Sequence, residues 1–202
     1  MKRFFTSAAA LMASLCLAAC SVTGKDSSRK NGLDCAFQSS VSLTMDRLSA
    51  EGRITRFGEG IWRAEFDSPN TLSGVTLDFA EGNVTASYKG LSFSVPQSAL
   101  PVKAMMLELI EAVDSCAKLE ELSGKEEDGA LLIGGNLEAG EYTLSVDGEG
   151  SISAFEMPGS KLKIVFSEVT AIEGALPEEA TETASEESLP SPTEEETDGQ
   201  ER

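Results

Sequence analysis

The chain has 202 residues and a formal net charge of −18, from 34 acidic and 16 basic side chains, with no histidine. So strong an acidic excess argues against a nucleic-acid partner and against adsorption to anionic lipid. The missing histidine removes the commonest general base, the Ser-His-Asp triad and most zinc sites. No Gly-rich phosphate loop or Ser-elbow motif is present. Carboxylates abound, as in Glu126-Glu127-Asp128, but nothing sets two of them across a cleft. The expectation is a protein that is not an enzyme and has no metal or cofactor.

Lys2 and Arg3 open the chain, and an apolar run from Phe4 to Ala19 follows, broken only by Thr6, Ser7 and Ser14. A positive start, an apolar core and a small-residue end make an export signal over residues 1–19. The run falls short of the ~20 residues that span a bilayer core, so an uncleaved anchor is the weaker alternative. Leu17-Ala18-Ala19-Cys20 resembles the lipobox of bacterial lipoproteins. There a thiol takes a diacylglycerol through a thioether, after small residues that a signal peptidase can cut between. Two acyl chains of the palmitate kind anchor stably, at ~0.8 kcal/mol per buried CH₂. Cys20 is thus the expected lipidation site, and the extracytoplasmic face of a bacterial membrane the expected address.

Residues 20–32 are polar after Cys20 and read as a tether. Residues 33–175 carry the domain. Phe37, Val41, Leu43 and Met45 alternate with polar residues as one strand. Arg53 to Phe57 reads as the end of a second, Gly58-Glu59-Gly60 as a turn, and Trp62, Ala64 and Phe66 as one face of a third. Val75, Leu77 and Phe79 lead into a Glu81-Gly82-Asn83 turn, then Val84, Ala86 and Tyr88. After Lys89-Gly90 come Leu91, Phe93 and Val95. From Pro101 the period changes. Val102, Met105, Met106, Leu109, Ile110, Val113 and Cys116 share one helical face. Ser123 to Gly129 reads as a polar loop, before strands at 130–133, 142–146, 152–157 and 162–169, the last changing face after Phe166. The pattern predicts an α+β, mainly β, fold, in which a curved antiparallel sheet is covered by one long helix. The concave side is either a lined cavity or a filled core.

Cys35 and Cys116 form an even pair in an exported domain. They are either a disulfide, closing a loop of about 80 residues for ~4 kcal/mol, or two buried free thiols. From residue 176 to Arg202 the chain has ten acids, one base and almost no apolar residue. Such a segment cannot bury enough surface to offset its ordering entropy, so 176–202 reads as a disordered acidic tail.

The order of elements over residues 33–169 resembles the LolA/LolB-type lipoprotein carrier superfamily. The similarity rests on Gly58-Glu59-Gly60-Ile61-Trp62 running on to Pro69, on the hairpin Asp78 to Val84, and on Tyr142 to Met157. The resemblance implies an incomplete β-barrel with a hydrophobic cavity that binds acyl chains without covalent bonds. Trp62 and Pro69 match the family pattern, whereas Ser68 stands where the soluble carrier has the arginine that latches its lid. An anchored chain fits a tethered acceptor, lipid binder or sensor better than a shuttle. The candidate lining is Phe37, Val41, Leu43, Trp62, Phe66, Leu77, Phe79, Phe93, Met105, Met106, Leu109 and Phe155. The expected partners are lipid or lipoprotein acyl chains and the membrane itself. The alternative is an envelope interaction or sensor protein with a filled core and a protein partner in the envelope.

Overall fold

The computed structural model describes residues 25–100 and 105–173. The expected signal peptide, Cys20, residues 101–104 with Pro101 and Val102, and the acidic tail lie outside the described residues. The chain runs β1 (Lys25–Lys30), β2 (Phe37–Met45), β3 (Leu48–Gly58), β4 (Ile61–Ser68), β5 (Thr76–Ala80), β6 (Asn83–Tyr88), β7 (Leu91–Pro96), α1 (Met105–Ala117), β8 (Glu121–Glu127), β9 (Ala130–Leu137), β10 (Gly140–Val146), β11 (Ile152–Met157) and β12 (Leu162–Ala171). All twelve strands join one antiparallel sheet in the order β1-β8-β9-β10-β11-β12-β2-β3-β4-β5-β6-β7. Its two edges, β1 and β7, do not pair with each other. One open, curved sheet with one helix on its apolar face agrees with the expected architecture of an incomplete barrel.

Tight turns set the register. Glu81-Gly82, Lys89-Gly90 and Asp128-Gly129 each hold both residues at positive φ (51° and 74°, 49° and 82°, 48° and 82°). That backbone gives a two-residue hairpin loop whose twist matches its strands. Bulges supply curvature. At Gly52 the register against β4 shifts, and a Cβ there would run into the Glu65 carbonyl, so the bend needs glycine. Another shift between Ser167 and Thr170 breaks the alternation of β12, which is the change of face expected after Phe166.

The expected tether is corrected by β1. Residues 25–30 pair with β8, itself the segment read as a polar loop. Arg29 fastens the strand by donating to the carbonyls of Asp147 (2.6 Å) and Gly129 (3.1 Å). Asn31 is buried, and its Nδ2 donates to the Cys116 and Leu119 carbonyls at 3.0 and 2.6 Å. It thereby fastens the chain just after α1, sharing the Cys116 carbonyl with the Leu119 N–H (3.0 Å). Lys25–Lys30 of the expected tether is therefore a strand of the sheet.

Candidate functional site

The register aligns side chains in rows across the concave face. Trp62, Phe79, Val84 and Val95 are successive cross-strand partners on β4 to β7, as are Ala64, Leu77, Ala86 and Phe93 one row over. Burial fades along each row. Trp62 and Ala64 are buried, Val95 and Leu77 are half-buried, and Phe93 is 66% exposed. Tyr88 and Leu91 make a third row at the hairpin tip, Leu91 77% exposed.

Along the β5 to β7 part of these rows lies a cavity of about 270 Å³. Its walls are Leu77, Phe79, Val84, Ala86, Phe93 and Val95 from β5 to β7, with Leu100, Met105 and Met106 from the approach to α1 and its first turn. All nine side chains are apolar. A second hollow of about 540 Å³ shares Ala86 and Phe93 and continues past Val75, Ser87, Tyr88 and Leu91 to Asn70 and Thr71. Together they form an apolar trough, ~14 Å long over the five residues Leu91 to Val95 at ~3.4 Å per residue.

Five of the twelve expected lining residues stand in this trough: Leu77, Phe79, Phe93, Met105 and Met106. The other seven are a correction. Phe37, Val41, Leu43, Trp62, Phe66, Leu109 and Phe155 are buried in the core and line neither hollow. Phe37 meets Trp62 edge-on at 5.7 Å, and Phe155 lies 5.7 Å from Tyr142. These seven belong to one hydrophobic cluster with the buried face of α1. Val84, Ala86, Val95 and Leu100 were missing from the expected lining. Their alternation placed the first three on the right strands, and only the register shows that they share rows with Phe79 and Phe93.

Two helix carboxylates frame this packed region. Asp114 is the clamp. Its Oδ1 accepts from Arg56 Nε at 2.8 Å, and its Oδ2 accepts from the Gly60 N–H at 2.7 Å and from Trp62 Nε1 at 3.2 Å. Arg56 and Asp114 are both nearly enclosed, at 4% and 10% side-chain exposure. Arg56 also donates to the Cys35 carbonyl and lies 5.9 Å from the centre of the Trp62 ring. Trp62 is thus the tie between the β3–β4 hairpin and α1 rather than part of a lipid wall. Glu108 is the contrast. It is 5% exposed, and its Oε2 has no hydrogen-bond partner among the described residues. Burial pushes its carboxyl above the ordinary value, and Glu111 and Glu138 add to the rise.

Cys35 and Cys116 are free thiols, not a disulfide, and Cys35 is exposed rather than buried. Cys35 Sγ lies 3.4 Å from the Gly32 carbonyl, whereas Cys116 is turned toward the Tyr142 hydroxyl. Burial pushes the Cys116 thiol up.

No protein-family model and no curated protein matches the chain. Solved structures do. An uncharacterized conserved protein from Thermus thermophilus is similar at 14% identity and a TM-score of 0.48, over 77% of this chain and 88% of that one. A DUF1329 family protein from Desulfovibrio piger is similar at 13% identity and a TM-score of 0.40, over 77% and 89%. A LolA superfamily protein from Nitrosomonas europaea is similar at 7% identity and a TM-score of 0.36, over 76% and 92%.

Proposed function

We propose that this protein is a lipid-anchored bacterial lipoprotein that shelters one acyl chain in the trough between β5–β7 and the first turn of α1. The observation that carries the reading is the cavity wall, nine apolar side chains with no polar group among them. Pockets that select polar ligands place hydrogen-bonding groups among apolar ones, and this one offers a chain only contact. Its size, about 270 Å³, falls just under the roughly 300 Å³ where small-molecule pockets begin. That suits a single chain better than the several chains of an entire lipoprotein. Met105 and Met106 are unbranched and adaptable, so the roof can fit a flexible tail. Lipid on Cys20 would hold the domain at the outer face of the membrane, where such tails are found.

A second reading, an envelope interaction or sensor protein, is favoured by the seven expected lining residues that instead fill the interior. One experiment separates the two. The mature chain with Cys20→Ser, purified without detergent, is extracted with organic solvent and examined by mass spectrometry. A stoichiometric lipid that disappears when Ala86→Trp fills the trough supports the binder. A protein that arrives empty and also refuses a fluorescent fatty acid leaves the interaction reading standing.

A further inference from the structure

The exposed end of the trough has properties that a chain-binding cavity does not require. Leu91 and Phe93 are 77% and 66% exposed, and Tyr88 is 42% exposed. They project from the tip and outer strand of the β6–β7 hairpin, at an edge of the sheet. Among the described residues the large exposed apolar side chains are these three with Leu119 and Val165, so the apolar exposure gathers here. A contiguous apolar patch on a protein surface marks a contact site.

Charge indicates which contact. From Gly82 to Leu107 the chain has no acidic residue in 26 positions and two lysines, Lys89 and Lys103, although the whole chain carries 34 acids. The neighbouring connection from Ser68 to Leu77 is also uncharged, and it supplies Asn70 and Thr71 to the same hollow. At the tip, Lys89 Nζ stands 5.0 Å from the centre of the Tyr88 ring. A tyrosine and a lysine beside bare leucine and phenylalanine make the composition of a membrane interface. Aromatic rings sit at headgroup level there, and a lysine can reach the phosphates. A protein this acidic is repelled by an anionic surface as a whole, so the acid-free lip is the part able to lead.

We infer that the β6–β7 hairpin enters the outer surface of a phospholipid bilayer, with Leu91 and Phe93 below the headgroups and Lys89 among the phosphates. The contact uses side chains that also line the trough, Leu91 and Tyr88 in its outer hollow and Phe93 in both, so vesicle binding is read separately from the lipid that the protein itself carries. It would hold the trough's open end against the bilayer.

The test uses the mature chain with Cys20→Ser, so that no covalent lipid contributes, and phosphatidylcholine vesicles with and without phosphatidylglycerol. The parent is expected to co-sediment with both kinds of vesicle. Leu91→Asp with Phe93→Asp should weaken binding by about tenfold or more, since both apolar contacts are lost. Both positions are exposed, so the circular-dichroism melt should not move. Leu119→Asp, an exposed apolar position away from the lip, should bind like the parent. In lipidated full-length protein, Phe93→Trp should show fluorescence quenched by brominated acyl chains, against the low background of fully buried Trp62. Equal binding by parent and lip variant overturns the inference. So does a parent that runs as a dimer without vesicles and a lip variant that runs as a monomer, since the lip would then join two copies of this chain.

Discussion

The same concave face is finished in two ways. Across β2 to β4 it is closed, because α1 lies on it and Asp114 ties the helix to Arg56, Gly60 and Trp62. Across β5 to β7 the strands continue the same apolar rows, but beyond Phe79 and Val84 exposure rises strand by strand. Among the described residues the sheet is twelve strands wide, while α1 has 13 residues, about 20 Å of helix at 1.5 Å per residue. One such helix cannot cover that whole width. The remainder, roofed only by Met105 and Met106 at the first turn of α1, is the trough. Stability and the proposed binding are thereby assigned to different strands, and substitutions in the two regions should behave differently.

The sharpest way to break that division is Asp114→Ala. It leaves the Arg56 guanidinium buried without its counter-charge and frees two further donors. Removal of one partner from a buried ion pair costs about 3–5 kcal/mol. Urea unfolding should show a loss of that order, and a loss under about 1 kcal/mol, the range of an exposed pair, would mean that α1 is held by apolar packing alone.

Glu108→Gln tests the other helix carboxylate and should act in the opposite direction. The folded-state pKa of Glu108 is raised, so the folded protein binds more protons than the unfolded chain between the unfolded value and the folded one. Stability therefore falls as pH rises through that window. The glutamine variant buries no charge and should be more stable than the parent at neutral pH, by roughly 1 kcal/mol. Its advantage should shrink as pH falls from the raised folded value towards the ordinary carboxylate value, and be gone below it. A pH-independent difference would sink the assignment.

At the lip, Leu91→Ser should change stability by no more than about 0.5 kcal/mol, as exposed substitutions do. A large loss there would show that the lip belongs to the packed half after all. The smallest intervention is chemical. In mature protein whose Cys20 carries lipid, a thiol reagent should label Cys35 promptly and Cys116 only after denaturation. Cys116 is buried with its pKa raised, and the thiolate is the reactive form. Absence of any free thiol would instead establish the disulfide.

How far the sequence could be read depended on which side of each strand was wet. Strands with one apolar face were legible, and so was α1, because alternation and the helical period are direct records of burial. β1 and β8 were not. Of their thirteen positions only Leu122 is buried. A strand whose two faces meet water writes no alternation, and Lys25 to Lys30 looks like a tether. The dipeptide Asp128-Gly129, the same kind of hairpin signal as Glu81-Gly82 and Lys89-Gly90, was the available clue. Asp114 was also visible as a helix residue off the main apolar face, but its role was not, since its three donors come from a hairpin more than fifty positions earlier.

The sequence by itself determined that the domain is a mainly antiparallel sheet with one helix, because periodicity follows from local geometry and burial. It also determined where the apolar residues for a core would come from. Only the tertiary structure decided how those residues are shared between core and trough. That division depends on the register of β4 to β7 and on how much of a wide sheet one short helix can cover, and neither quantity is stored in any local stretch of chain.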